Sequence, residues 1–296
     1  MYKILIYIVL LGFISGDGFS QRIEIVISSD AAPFIKIADS YEAAAKKKGF
    51  LITGRHNLKE EESQKVVENI SLNNPDIILT VGTKAAKMAN EKLQGMNVVH
   101  TAILNPEEFM SAKSRFISLN LKEDEKFKRI LDYFSNFKRC GILYSAKTEK
   151  LVIDIKAICE KLGIAVSAVE INDSKEISSV VDNLKGSIDF LYMVADTDIY
   201  NSKVIQEFLK NSIKDGIPVV GLSENYTKGG ALISFDCDYE DLGLQAAELT
   251  EMVFKEKNLI RKDSPRKIVY SLNKHVAEIL DVIISPDVLN NAKEVY

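Results

Sequence analysis

The chain has 296 residues, a net charge of −4 and a hydrophobic fraction of 46%. That mixture is typical of a globular protein with an apolar core, and the length allows two domains or two lobes of one. The basic residues are spread along the chain without a large block, which argues against a nucleic-acid-binding surface. Three widely spaced cysteines and three histidines argue against a disulfide framework or a metal centre.

The amino terminus has the pattern of a signal peptide. Lys3 precedes an apolar run of about eleven residues, the length of a signal-peptide core and too short to span a bilayer. Small residues predict cleavage between Ser20 and Gln21, so that residues 1–20 form the signal peptide. The alternatives are a buried first strand or an uncleaved anchor. No cysteine lies near the junction, which argues against a lipid anchor, and we expect an exported, periplasmic protein.

Strands and helices then alternate along the first part of the chain. The run Ile77–Val81 is continuously apolar, as is typical of a central parallel strand, and Gly49 gives a helix stop signal. This alternation predicts a doubly wound parallel sheet. The predicted elements are strand Arg22–Asp30, helix Ala38–Lys48, strand Phe50–Gly54, helix Glu60–Leu72, strand Ile77–Val81, helix Lys84–Leu93, strand Asn97–Thr101, strand Arg115–Asn120 and helix Glu123–Phe134.

A second alternating series starts at Arg139 and repeats the plan of the first, which predicts two similar α/β lobes. We expect lobe 1 to contain residues 21–118 and 236–262, and lobe 2 to contain residues 119–235 and 263–296. The predicted elements are strand Cys140–Tyr144, helix Thr148–Leu162, strand Ile164–Val169, helix Ser174–Leu184, strand Asp189–Val194, helix Asn201–Lys214, strand Pro218–Gly221, strand Lys267–Leu272, and helices Lys274–Leu280 and Pro286–Val295.

The stretch Gly229–Phe254 links the two predicted lobes. A strand, Ala231–Phe235, leads to Asp238, which with the acidic residues after it is typical of a helix N-cap. Apolar residues then recur on one face of helix Leu242–Lys255. We expect this strand to carry the chain back to lobe 1, so that the chain passes between the lobes three times.

The order of these segments resembles the substrate-binding proteins of ABC transporters with the type I periplasmic-binding fold, in the branch with tryptophan- and tyrosine-binding members. The resemblance implies two doubly wound parallel-sheet lobes with a ligand cleft between them. It covers nearly all of the chain after the signal peptide. The segments that carry it are Pro75–Ala89, Asn97–Phe109, Phe137–Glu149, Ile188–Tyr200, Ile217–Leu249 and Ser271–Val295.

A two-lobe binding protein holds its ligand with residues of both lobes, at the carboxyl ends of strands. The start of a helix at Gly82-Thr83 suits a carboxylate, although Thr83 equally fits a helix cap. An aspartate at such a position suits an ammonium or hydroxyl group, or a plain turn, and Tyr144 suits an apolar ligand or the core. The predicted ligand-binding residues are Ser29, Asp30, Gly82, Thr83, Ala102, Tyr144, Asp196, Thr197, Ser223 and Asp236.

The sequence lacks the motifs of common α/β enzymes. It contains no GxSxG elbow, no GxGxxG after a strand and no phosphate-binding GxxxxGK[ST] loop, so a hydrolase or a nicotinamide-dependent enzyme is the weaker hypothesis and no cofactor is expected. We therefore expect a protein that captures a small polar solute, an amino acid or a related compound, and delivers it to an ABC permease. The alternative is a ligand-sensing module that docks to a membrane receptor. The resemblance implies a monomer.

Overall fold

The computed structural model describes residues 21–104, 106–109, 115–256 and 258–296. The predicted signal peptide lies outside these residues. The strands are β1 (Arg22–Ile27), β2 (Leu51–Asn57), β3 (Ile77–Val81), β4 (Val98–Ile103), β5 (Arg115–Ser118), β6 (Arg139–Tyr144), β7 (Ala165–Glu170), β8 (Phe190–Tyr192), β9 (Val219–Gly221), β10 (Ile233–Cys237), β11 (Arg261–Asp263), β12 (Ile268–Leu272) and β13 (Glu294–Val295). The α-helices are α1 (Ala32–Lys47), α2 (Ser63–Asn73), α3 (Thr83–Lys92), α4 (Glu123–Tyr133), α5 (Glu149–Lys161), α6 (Ile177–Leu184), α7 (Ser202–Lys214), α8 (Glu224–Gly229), α9 (Tyr239–Lys255), α10 (Lys274–Ile279) and α11 (Pro286–Asn290).

The described strands form two sheets, one in each lobe. The first has the strand order β11-β5-β4-β3-β1-β2 and is parallel throughout. The second has the order β13-β12-β10-β9-β8-β6-β7, and its antiparallel pairing joins β10 to β12. Helices lie between the strands in sequence, as parallel connections require. The predicted fold class, two doubly wound parallel-sheet lobes, is confirmed.

The central strands are buried on both faces, because helices cover both. All five residues of β3 are buried. On one face, α1 and α9 contribute to a core that includes Ile37 and Leu242, and on the other face α2 and α3 pack with Val26 and Ile78. The second lobe has its own core, which is rich in aromatic residues; Phe137 and Phe190 stack there with ring centroids 5.0 Å apart.

The helix predicted over Leu242–Lys255 is confirmed as α9, which starts at Tyr239, three residues before the predicted start. The Asp238 carboxylate accepts hydrogen bonds from the backbone N–H groups of Glu240 and Asp241, so the acidic turn is the first turn of α9. This helix packs closely on α1 through Gly243, where an added Cβ would lie 2.4 Å from the carbonyl oxygen of Ile37. Only a glycine allows the two backbones to approach so closely.

The chain returns to the first lobe from the strand predicted at Ala231–Phe235, as expected. β10 pairs with β12 in the second sheet, and after Cys237 the chain enters α9, which packs in the core of the first lobe. The predicted end of the last helix needs correction. The helix predicted over Pro286–Val295 ends at Asn290. The residues after it instead form the edge strand β13, which pairs with β12; Val295 lies beside Leu272, and its backbone groups find partners there.

Candidate functional site

The carboxyl edges of the two sheets face one another across a cleft. The chain leaves the first sheet from the carboxyl end of β5 and leaves the second from the carboxyl end of β10. It passes back a third time from the end of β11, which is parallel to β5, to Ile268, which pairs with Cys237. All three crossings therefore join carboxyl edges, which is where open α/β sheets bind ligands.

Two of the crossings are tied to each other. The backbone N–H of Asp238 donates to the carbonyl oxygen of Lys267 at 3.1 Å, and the ammonium of Lys267 pairs with the Asp238 carboxylate at 2.6 Å. Arg266 binds Asp241 at the start of α9 through both its Nε and Nη2 atoms. These contacts form a hinge on one side of the cleft.

In the first lobe, the start of α3 lies at the carboxyl end of β3. Gly82 has a φ of 90°, and its backbone N–H donates to the carbonyl oxygen of Thr101. The hydroxyl of Ser28 accepts from the Ala85 N–H at 2.9 Å, so Ser28 caps this helix from a neighbouring strand. Thr83 is the first residue of this helix, and the N-cap position belongs to Gly82. The N–H groups of the first turn, ahead of the Ala85 N–H, have no partner within the helix and can bind an anion.

The neighbouring loop contains Ser29 and Asp30. The Ser29 hydroxyl accepts from the Ala31 N–H at 3.4 Å, which is the geometry of a local turn. The exposed Asp30 carboxylate is paired with the ammonium of Lys59 at 2.8 Å, and this hydrogen bond holds the pKa of Asp30 below its usual value. Any ligand ammonium at Asp30 would compete with Lys59.

Ala102 lies at a β-bulge next to this site. The pairing of β4 with β5 shifts between Thr101 and Ile103, and Ala102 at the bulge has a φ of 59°. A left-handed conformation is uncommon for alanine, and such strain collects at functional sites. The adjacent Thr101 hydroxyl is fully buried and has no hydrogen-bond partner among the described residues.

In the second lobe, Asp196 is only 2% exposed. One carboxylate oxygen accepts from the Ser145 N–H, the Ser145 hydroxyl and the Thr148 hydroxyl at 2.6–2.9 Å, and the other accepts from the Asp198 N–H at 3.0 Å. Burial alone would raise the pKa of Asp196, but these four hydrogen bonds lower it below its usual value. Asp196 thus joins the loops after β6 and β8, while Thr197 beside it is exposed.

Tyr144 ends β6 and Ser223 follows β9, and β8 lies between these two strands in the second sheet. Tyr144 is half-buried and packs partly against the core of the second lobe. Ser223 precedes α8 in an extended conformation, and its side chain makes no cap bond to that helix. Both side chains are therefore partly open at the carboxyl edge.

Asp236 is half-buried and lies two residues before the hinge residue Asp238. Its oxygens accept from the Cys237 N–H at 2.8 Å and from the Tyr239 hydroxyl at 2.7 Å. Burial raises the pKa of Asp236 despite these bonds. The described residues provide no cation hydrogen-bonded to this carboxylate, which distinguishes it from Asp30, but the charge of the nearby Lys293 ammonium offsets part of the rise in the pKa of Asp236. A ligand cation is the natural partner for such a group.

Sequence reasoning missed a cluster beside Asp236. The Glu224 carboxylate accepts from the Tyr296 hydroxyl at 2.6 Å and pairs with the Lys293 ammonium at 3.3 Å. That ammonium also lies 5.6 Å from the ring centre of Tyr239, which binds Asp236. The sequence gives no signal for this cluster, because Glu224 and Tyr296 are 72 positions apart.

The structure adds one aromatic residue at the first edge. Phe34, near the start of α1, has its Cζ atom 2.9 Å from where a Cβ of Gly82 would stand, so it borders the start of α3. Among the described residues, no group of histidine, cysteine and acidic side chains could hold a metal ion. In the same part of the chain, no helix is long and apolar enough to cross a membrane.

Two parallel-sheet lobes joined by three crossings define a type I periplasmic-binding-protein fold. The model of the ABC transporter substrate binding protein family matches residues 37–296, and the chain belongs to this family. The resemblance seen in the sequence is thereby confirmed. The family and the similar proteins are binding proteins rather than enzymes.

Similar proteins support the same placement. A tyrosine-binding protein of Clostridioides difficile (strain R20291) is 24% identical over 212 residues, 67% of this chain and 60% of that relative. The ligand-free, open structure of a substrate-binding protein with adhesive properties from Clostridium difficile has a TM-score of 0.78 at 18% identity, covering 93% of this chain and 99% of the other. An ABC domain from Streptococcus pneumonia in complex with L-Trp has a TM-score of 0.62 at 19% identity, covering 94% and 100%.

Proposed function

We propose that the protein is an exported solute-binding protein that captures an amino acid by closure of its two lobes and delivers it to an ABC permease. The observation that supports the proposal is that each lobe offers one of two complementary groups at the carboxyl edge of its sheet. The first lobe offers backbone N–H groups at the start of α3, and the second offers the Asp236 carboxylate. These groups match the carboxylate and the ammonium of a zwitterion.

Tyrosine is the first ligand to test. The C. difficile relative is named for tyrosine binding, and the structure from S. pneumonia holds L-Trp. Two aromatic side chains, Phe34 and Tyr144, border the cleft edges of this chain and could pack on an aromatic ring. The remaining predicted residues, from Ser29 to Ser223, stay candidates around this central pair.

The test is a thermal-shift panel on residues 21–296 with the common amino acids, followed by calorimetry on any that bind. A ligand at a hundred times its dissociation constant should add about 2.7 kcal/mol to the free energy of unfolding. Asp236→Asn should weaken binding at least tenfold, since it removes the charge that faces the ammonium. Asp198→Asn is the matched control, because Asp198 is exposed and near the same edge.

A panel without any shift would refute the ligand class, and unchanged affinity in Asp236→Asn would refute the assignment of the ammonium partner. Delivery to a permease needs a separate measurement. Cells that lack the protein should take up the labelled ligand more slowly. Normal uptake by such cells would instead favour the receptor-docking alternative.

A further inference from the structure

A buried polar cluster in the first lobe has no part in the proposed ligand contacts. Its centre is His56 on β2, which is 7% exposed. The Nε2 atom lies 3.0 Å from a carboxylate oxygen of Glu24 on β1, and the Nδ1 atom lies 3.3 Å from a carboxylate oxygen of Glu61. Both ring nitrogens of one imidazole therefore face carboxylates.

The two carboxylates differ in their surroundings. Glu24 is fully buried and also accepts from the Thr53 hydroxyl at 2.9 Å and from the Asn73 amide at 2.8 Å. Position 54, next to the Glu24 carboxylate, must be a glycine, because an added Cβ would lie 2.2 Å from a Glu24 oxygen. Glu61, in contrast, has a side chain that is 32% exposed. Water can replace its partner, whereas nothing can replace the partners of Glu24.

Glu61 belongs to the loop of residues 58–62, which we call the rim loop. Its other carboxylate oxygen accepts from the Asn57 N–H at 3.0 Å, so one side chain closes the loop on itself and onto His56. The rim loop reaches the cleft edge through two contacts. Lys59 pairs with Asp30, and the carbonyl oxygen of Leu58 accepts from the Lys84 ammonium at 2.6 Å.

The charge state of His56 decides whether both carboxylate contacts can exist. An imidazolium donates from both nitrogens, but a neutral ring has one donor and one lone pair. The proton of the neutral ring stays on Nε2. Losing the hydrogen bond to the buried Glu24 carboxylate would cost more free energy than losing the one to the partly exposed Glu61 carboxylate. The lone pair of Nδ1 then faces the Glu61 carboxylate, and that contact becomes repulsive.

We propose that protonation of His56 controls the order of the rim loop: the imidazolium holds Glu61 against the first sheet, and the neutral ring releases it. The charged groups around His56 are Glu24 on β1, Glu61 on the rim loop, and Lys65 on α2, which acts on Glu61. The pKa of His56 is raised, first by its hydrogen bond to Glu24 and then by Glu61. The release consequently falls at a pH above 6.5, the ordinary pKa of histidine.

The protein has a convenient set of histidines for the test. Burial lowers the pKa of His100 to about 4, so its ring stays neutral through the range in which His56 changes charge. His275 is exposed and serves as an internal comparison in the same spectra. NMR titration of the three rings from pH 5.5 to 9 should show His56 titrating above 6.5, its ordinary value.

Hydrogen exchange measures the rim loop itself. The N–H groups of Glu60 and Glu61 both donate to the Asn57 carbonyl oxygen, so their protection factors report loop order. Corrected for intrinsic exchange, these factors should fall as His56 loses its proton, by about tenfold for each unit by which Glu61 raises the His56 pKa. The protection of Ala86 in α3 should not change over the same range.

Two variants decide the origin of any change. Glu61→Gln removes the loop carboxylate without leaving a buried charge, so the His56 pKa should fall and rim-loop protection should become independent of pH. Glu60→Gln, one residue away, should retain the wild-type pH dependence. Equal protection on both sides of the His56 titration, or an unchanged titration in Glu61→Gln, would overturn the proposal.

The loop test needs no ligand, and only the effect on binding rests on the proposed function. If the panel identifies an amino acid, its affinity should change across the His56 titration in wild type and stay flat in Glu61→Gln. A protein that binds no amino acid but shows the loop transition would refute the proposed function alone. A protein that binds with no loop transition would refute the proton control alone.

Discussion

Asp196 accepts four hydrogen bonds in the second lobe, and the substitution Asp196→Asn would show whether its role is structural or is to bind the ligand. Asparagine keeps the size and one acceptor oxygen but places an NH2 group at the other oxygen. In one orientation the NH2 group faces the Ser145 N–H, and in the flipped one it faces the Asp198 N–H. Either way a backbone donor loses its acceptor. Hydrogen bonds to charged groups contribute about 1.5–3 kcal/mol each, so we expect a loss of about 2–3 kcal/mol.

Thermal and urea unfolding of the ligand-free protein measure this loss, which corresponds to roughly 4–12 °C in Tm. The control is Asp198→Asn, because Asp198 is exposed and its contact with Lys147 is 3.4 Å long; we expect less than about 1 kcal/mol there. The pKa of Asp196 is lowered, so its stabilising contribution is present above its ordinary value of 3.8 and is lost as pH falls through the lower, folded value. An Asn variant as stable as wild type that binds ligand poorly would refute the structural role.

Two more substitutions test the packing and the edge cluster. Gly243→Ala adds a methyl group 2.4 Å from the Ile37 carbonyl oxygen, so α1 and α9 can no longer approach closely and we expect a loss of about 1–3 kcal/mol of stability. In an open helix the same change would give a small gain, because alanine is the better helix former. Thermal unfolding measures the loss, with Leu244→Ala at an exposed position as the control, and a variant as stable as wild type would contradict the prediction. Tyr296→Phe removes one hydrogen bond to the Glu224 carboxylate. Because the Glu224 side chain is partly exposed, the loss should be only about 0.5–1.5 kcal/mol in urea unfolding, and an unchanged midpoint would show that water replaces the hydroxyl.

Local patterns predicted the elements of this fold well. The apolar run Ile77–Val81 is β3 with the same bounds, and the acidic turn after Asp238 is the start of α9. These signals act over a few residues, through burial on both faces and through capping. The start of the first helix was less predictable. It begins at Ala32 and not at Ala38, because Pro33 suits a first turn and Ile37 is already buried in the core.

The sequence predicted which strand ends form the candidate site, but it did not predict the partners of the side chains there. Asp30, Asp196 and Asp236 look equivalent in sequence, each at a strand end, yet they have different partners. Asp30 is paired with a lysine 29 positions away, and Asp196 with hydroxyl groups 48 and 51 positions away. Asp236 has its partners within three residues. Only the folded structure shows that Asp30 is paired with a lysine, that Asp196 joins two loops, and that Asp236 has no cation hydrogen-bonded to it among the described residues.

The packing of α9 on α1 has a consequence for how the chain folds. The hydrogen bond from the Ser40 hydroxyl to the Glu240 carbonyl oxygen spans 200 positions, and that between the Tyr41 and Thr250 hydroxyls spans 209. The first lobe therefore cannot complete its core until most of the chain is available. Contacts this distant in sequence slow folding, because the loop must close before the contact contributes. A nascent chain therefore exposes the inner face of α1 for the time needed to make about two hundred residues. We expect the second lobe, whose strands β6 to β10 are consecutive, to gain hydrogen-exchange protection first during refolding.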